Sequence, residues 1–441
     1  MKSIFVLCFL VLIGYTKSSF PHCNTYNDNL VNITGNYTNV RGYINNKCLF
    51  MADDFEGLFA TNREVGAATA MYYNGCKIAD LYGGTRKNTG ELWTYNTKTN
   101  AFSAAKAIHA FSIAKMRDFT HYQNDDLVTD FDWEEFSQNG KENVTISILT
   151  SYRAGTIALP TVYYGQDSFD EEYMDNAIAA IVPFHNPNGS FAAYHATDMG
   201  NIIDALIRRM DPYGRNLEQF FREEIMTLPG LEEFEFYYYP DVSLDSEIAE
   251  LTNETFRNLT RDQIVGLCSI PLATYKTICR SLIGPIDMNN NGSDVFLTND
   301  PLVRNKSYTP SGFTWTTARS LAALYGIAAN RKSRVNSGLI SNKSFRKAIE
   351  EVFRGTDLLT GQEGSYTVAG FEYPTSGDQF SISSTAVGRT GLGGQSGFMD
   401  SEREGGDIGY AYVTRNMRSD SENSKSMMNS VYECAAILDE E

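Results

Sequence analysis

Two Ser-x-x-Lys pairs fall within one stretch of 13 residues, Ser103-Ala-Ala-Lys106 and Ser112-Ile-Ala-Lys115. On a helix, residues three apart share a face roughly 5–6 Å apart, so the amine can reach the hydroxyl. A serine hydroxyl is a poor nucleophile until a base takes its proton. A buried lysine suits that task, because burial disfavours the ammonium and lowers its pKa. The pattern alone is common, and a solvated helix face explains either copy. Position separates them. Ser103 follows the polar stretch 94–100 and stands near a helix start. There, free N–H groups and the positive end of the helix dipole favour an oxyanion. Ser112 lies more than two turns further in, between Phe111 and Ile113, where its hydroxyl can bond back to the helix. Ser103 is therefore the candidate nucleophile and Lys106 its partner.

Other chemistries find little support. The five histidines show no His-Glu-x-x-His spacing, and there is no Cys-x-x-Cys pair. Asp287-Met-Asn289-Asn-Asn291-Gly292 copies half of an EF-hand loop, but its twelfth position is Thr298 instead of Glu. A surface loop is expected there. The glycines of 388–397 spell no dinucleotide fingerprint, and no phosphate-binding Gly-Lys-Ser/Thr loop occurs. No metal and no cofactor is expected.

The elements that must hold Ser103 can be read around it. Asn74-Gly75 between two apolar and aromatic runs is a hairpin signal, since a type I′ turn needs positive φ at both central positions. Ala-rich helical spacing covers 101–116. Further helices are expected over 197–210, 217–226, 316–330 and 427–438, and a strand over 408–413. Residues 284–312 read as a loop, and 355–385 as strands and turns. Strands come early and late, with helices between. This predicts an α/β (α+β) domain whose sheet is built from both chain ends. A mainly helical subdomain, about 120–300, would be inserted between the sheet-forming segments 40–120 and 310–441. Residues 20–441 are expected to form one domain.

Residues 1–19 read as a signal peptide: Lys2, an apolar run from Ile4 to Ile13, then small and polar residues. The run is too short for a bilayer, which needs about 20 apolar residues. Nine Asn-x-Ser/Thr sequons, at Asn32, Asn36, Asn143, Asn188, Asn253, Asn258, Asn291, Asn305 and Asn342, suit a glycosylated surface. Beyond Cys8, six cysteines remain, an even number as in exported disulfide-bonded proteins. The expected pairs are Cys23–Cys48, Cys268–Cys279 and Cys76–Cys434. The product is thus expected outside the cell. Net charge is −17, and −19 once Lys2 and Lys17 leave with the leader. That charge repels nucleic acid and anionic membranes.

Several stations in order then give a resemblance that covers about residues 40–435. They are Arg41-Gly-Tyr43, Glu64-Val-Gly66, Ala101-Phe-Ser103-Ala-Ala-Lys106, Leu149-Thr-Ser-Tyr-Arg153-Ala-Gly155, Ala193-Tyr194-His195-Ala196, Pro310-Ser-Gly312 and Gly388-Arg-Thr-Gly391-Leu-Gly-Gly394. Together they resemble the β-lactamase-related serine hydrolases: class C β-lactamases, D-Ala-D-Ala carboxypeptidases, family VIII esterases and animal β-lactamase-like proteins. The resemblance implies a β-lactamase/transpeptidase-like fold and a small ester, amide or peptide as substrate. Ser103 would form an acyl-enzyme while Lys106 and Tyr194 move its proton. The N–H groups of Ser103 and Leu392 would hold the oxyanion. Arg389, Thr390 and Gly391 would occupy the third motif, where the family usually carries His or Lys first. Arginine there would keep a positive charge able to hold a substrate carboxylate with its fork and to acidify its neighbours, but it cannot act as a general acid. That departure leaves an alternative, an inactive family member that binds ligands or self-assembles. A glycan on Asn188, six residues before Tyr194, would stand close to the cleft.

Overall fold

The computed structural model describes residues 23–160, 165–231, 233–252, 299, 301–330, 339–375, 383–418 and 420–440. The expected signal peptide, the half EF-hand, Cys268 and Cys279 lie outside these residues.

The first strands are β1 (Leu30–Asn32), β2 (Val40–Asn45), β3 (Gly66–Tyr73) and β4 (Cys76–Gly84). β5 (Thr99–Asn100), β6 (Phe236–Tyr237) and β7 (Trp315–Thr316) make a small second sheet. β8 (Glu351–Thr356) pairs with β9 (Glu363–Thr367). The last three strands are β10 (Val387–Gly391), β11 (Gln395–Asp400) and β12 (Ile408–Thr414). The main sheet runs β1-β2-β4-β3-β12-β11-β10, antiparallel throughout, so it is indeed assembled from both chain ends. The seam is β3 against β12, with Ala70 opposite Ala411. β10 is left at one edge.

Strand periodicity gives the sheet two buried faces. On β3, Ala67, Met71 and Tyr73 join one core; Ala68, Ala70 and Tyr72 join the other. The first core is closed by α1 (Phe50–Ala60) and the C-terminal helix Glu422–Asp439, through Met51, Phe55, Met427 and Val431. The second takes α2 (Ala107–Thr120), α3 (Met199–Met210), α4 (Leu217–Glu224) and α5 (Ala318–Ala329). α5 lies so close on the sheet that a Cβ on Gly409 would stand 2.1 Å from the Gly326 nitrogen. Glycine at both places lets helix backbone touch strand backbone.

The Asn74-Gly75 turn joins β3 to β4 with φ of 52° and 77°, as a type I′ turn requires. Helix ends differ from expectation by a few residues: α3 begins at Met199 and the C-terminal helix already at Glu422. Capping decides some of these boundaries. Thr317 accepts the Ser320 N–H at the start of α5, and Asn216 with Gln219 closes a capping box on α4.

The disulfides correct the expected pairing: Cys23 bonds Cys76, and Cys48 bonds Cys434. Cys48 lies two residues before α1, and Cys434 sits on the C-terminal helix that packs beside α1, with Cα atoms 5.3 Å apart. Cys76 opens β4, next to the N-terminal turn that carries Cys23. Sequence proximity favoured Cys23 with Cys48; helix packing overrides it.

Candidate active site

Ser103 stands on a 3-10 turn, Phe102–Lys106, that leads into α2. Phe102 is left-handed, φ 46°, an uncommon conformation for a bulky residue. Asn100 holds it there: its side-chain oxygen accepts the N–H groups of Phe102 and Thr314, both at 3.0 Å, and its amide donates to Gly312 O at 3.1 Å. The nucleophile turn is thereby tied to the 310–314 loop. Three residues per 3-10 turn bring positions 103 and 106 into line. Lys106 Nζ donates to Ser103 Oγ at 3.0 Å, to Ala196 O at 2.8 Å and to Ser311 O at 2.8 Å. All three ammonium donors are thus committed. Lys106 is only 2% exposed. Burial, helped by the Arg389 cation and opposed by Tyr194, pushes its pKa down to about 8.

Tyr194 comes from the loop before α3, and its Oη lies 2.5 Å from Ser103 Oγ. Lys106 Nζ sits 5.1 Å, and the Arg389 guanidinium 4.3 Å, from the centre of its ring. Burial alone would raise the phenol's pKa; these two cations and its hydrogen bonds outweigh it, and the net direction is down. His195 pegs the same loop. Its Nδ1 faces Ala193 O at 2.7 Å and its Nε2 faces Thr156 Oγ1 at 2.7 Å. A carbonyl can only accept, so these partners assign the proton to Nδ1. Burial drives the imidazole pKa down to about 3, so it stays neutral.

The Gly388–Gly391 motif lies on edge strand β10. A Cβ on Gly391 would meet Ala101 O at 2.5 Å and Ala104 N at 3.0 Å. Glycine lets this strand end against the nucleophile turn. The next residue, Leu392, is half exposed in the turn to β11. Ser103 and Leu392 therefore flank one junction, and the Ser103 N–H belongs to the first helical turn, whose donors lack intrahelical partners.

Arg389 departs from expectation. It is 3% exposed and faces inward. Nη1 donates to Gly370 O at 3.2 Å, Nη2 pairs with Glu372 Oε1 at 3.0 Å, and the guanidinium also lies 4.9 Å from the Tyr152 ring centre. Both terminal nitrogens are bonded within the protein, and the buried Nε has no hydrogen-bond partner among the described residues, whereas the sequence suggested that the fork would reach for substrate.

Ser112 is fully buried inside α2, and its Oγ has no hydrogen-bond partner among the described residues. The structure thus gathers Ser103, Lys106 and Tyr194 and leaves Ser112 apart in the helix. Sequence reasoning missed Asn100, Tyr152, Glu372, and the carbonyls of Ala196 and Ser311. Carbonyl partners leave no trace in residue type, and nothing marks Glu372 among the chain's acidic residues.

A family model described as Beta-lactamase matches residues 51–427. Among solved structures, a penicillin-binding protein homolog from Caulobacter crescentus is 24% identical, with a TM-score of 0.73; the match covers 90% of this chain and 100% of that one. A family VIII carboxylesterase is 22% identical at a TM-score of 0.71, covering 90% and 99%. A D-amino acid amidase from Ochrobactrum anthropi is 12% identical at a TM-score of 0.57, covering 88% and 99%. At these identities the likeness is one of fold. No curated protein sequence matches the chain.

Proposed function

Because the chain belongs to the Beta-lactamase family of serine hydrolases, we propose that it hydrolyses a small ester, amide or peptide through an acyl-enzyme on Ser103. One observation carries this reading: a hydroxyl, an amine and a phenol meet within 3.0 Å in a largely buried site. Ser103 Oγ attacks the substrate carbonyl carbon, and its proton passes to the Tyr194–Lys106 pair. The pair returns that proton to the leaving oxygen or nitrogen as the carbonyl–leaving-group bond breaks. Water then attacks the ester on Ser103, the same pair takes the water's proton, and as the bond from the carbonyl carbon to Ser103 Oγ breaks the pair returns that proton to Oγ, releasing the acid and the free serine. The N–H groups of Ser103 and Leu392 stabilise the oxyanion in both steps. Because the Tyr194 phenol is hydrogen-bonded to Ser103 and flanked by two cations, it is suited to hold negative charge before attack.

The inactive alternative drew on Arg389. Its place against the Tyr194 ring speaks for activity, since a cation there lowers the phenol's pKa.

We further propose that residues 1–19 are a signal peptide and that the mature chain, one domain from residue 20, acts outside the cell. Two disulfides fit an oxidising compartment. No helix among the described residues is long and apolar enough to cross a membrane. Asn32, Asn36, Asn143, Asn188 and Asn342 are exposed and open to glycans. Expression in a secreting eukaryotic cell, followed by glycosidase treatment of the medium, should reveal a mobility shift; protein confined to the cytosol would refute it.

The activity itself is tested by screening a library of ester, amide and peptide substrates with wild type and Ser103→Ala side by side. Turnover that disappears in the variant is expected. Turnover retained by Ser103→Ala would overturn the assignment.

A further inference from the structure

We infer that Glu372 sets the substrate class of this site: by holding Arg389 inside the protein it reserves the cleft for uncharged acyl donors and disfavours substrates with a carboxylate near the scissile bond. The inference rests on the serine reading above.

Its basis is where each cation around the nucleophile is spent. The three donors of Lys106 go to Ser103, Ala196 O and Ser311 O. Arg389 gives Nη1 to Gly370 O and Nη2 to Glu372, and it lies 4.3 Å from the Tyr194 ring centre and 4.9 Å from that of Tyr152. Arg418, whose N–H reaches Gly393 O in the turn after Leu392, is paired with Asp420 at 2.7 Å. Arg389 Nε has no hydrogen-bond partner but is buried, so among the described residues near Ser103 none of these cations offers the cleft an exposed free donor. Glu372 itself has a side chain 27% exposed. It is near enough to act electrostatically on both Lys106 and Tyr152. A substrate carboxylate would meet this charge while losing its own water. Recruiting Arg389 would strip two ring contacts and break its ion pair with Glu372, in which the guanidinium side is buried. An uncharged acyl group meets neither obstacle, and the half-exposed Leu392 offers it apolar surface.

The test uses a matched pair of substrates, mono-p-nitrophenyl adipate and its methyl ester, which differ in one carboxylate charge. For wild type, kcat/KM on the methyl ester should exceed that on the acid by about tenfold or more at low ionic strength, and the ratio should shrink toward 0.5 M salt as charges are screened, roughly to half or less. Glu372→Gln should narrow the low-salt ratio by about threefold or more, through faster hydrolysis of the acid as Arg389 becomes available. Should Glu372→Gln fail to fold, the wild-type ratio and its salt dependence decide. Equal rates on the two esters, or a preference for the acid, would overturn the inference while leaving the serine reading intact. Turnover of neither ester, together with failure of the substrate screen, would sink both.

Discussion

Lys106 and Lys141 are two buried lysines with the same displaced pKa and different fates. Both are driven down to about 8 by burial. Both hand their ammonium protons largely to backbone carbonyls. Lys141 donates to Gln138 O at 2.8 Å, Ala179 O at 2.9 Å and Ile181 O at 2.6 Å, and lies 5.3 Å from the centre of the Phe136 ring. Lys106 exchanges one of three carbonyls for the hydroxyl of Ser103 and adds a phenol across its flank. A displaced lysine is therefore no mark of catalysis by itself. What separates the two is one acceptor that is also a nucleophile.

That contrast can be broken experimentally, and the widest break is at the hydroxyl. Ser103→Ala should cost at least about 10³-fold in kcat/KM, the scale seen when a nucleophile is removed. Ser112→Ala should stay within about threefold of wild type. A comparable loss in both would erase the difference between the two Ser-x-x-Lys pairs.

Lys106→Ala should lower kcat/KM by roughly 10²–10⁴-fold, the usual worth of general acid–base catalysis. Lys141→Met should instead lower stability, by about 2–5 kcal/mol, because three buried carbonyls lose a charged donor. Its kcat/KM should remain near wild type. Steady-state kinetics and denaturant unfolding on the pair would settle whether the roles divide this way.

The pH profile sharpens the comparison further. The Tyr194–Lys106 pair can accept the Ser103 proton only after losing one of its own, and burial brings Lys106 down to about 8, so kcat/KM should rise with pH through about 8. Since Lys106 and Tyr194 titrate together, the limb belongs to the pair. Arg389→Met should move that limb upward, because the Arg389 cation holds both groups down; Arg389→Lys should bring it back by restoring charge. A limb that stays in place in Arg389→Met would remove Arg389 from the proton-handling account. Stability should follow pH as well. Both lysines have folded pKa values below their unfolded values, so the unfolded chain binds more protons from about 8 upward. Their contribution to stability therefore rises with pH across that window and is lowest below it. In Lys141→Met the rise should be shallower.

How much could be read beforehand follows the range of the interactions. Asn74-Gly75 specifies its turn through its own backbone, and the outcome needs no distant partner. The 101–116 helix was legible from alanine spacing, yet its opening 3-10 turn, which aligns Ser103 with Lys106, was not: it depends on Asn100 bridging Phe102 to Thr314. Tyr194 became a candidate only through the resemblance, since an isolated tyrosine among 26 carries no signal. The disulfides went wrong for the same reason, because α1 meets the C-terminal helix across 386 residues of chain. Arg389 shows the limit most clearly. Its charge was readable, but its direction was decided by Glu372 and two tyrosine rings from other segments.

The most direct test of the central claim is to map the adduct of a fluorophosphonate probe. Trypsin cuts after Lys98, Lys106 and Lys115, so the two candidate serines fall in separate peptides, Thr99–Lys106 and Ala107–Lys115, each with one serine. The account predicts a mass shift confined to the first peptide, on Ser103. A shift on the second peptide, or an intact folded protein that takes up no probe at any pH up to 9, would contradict it.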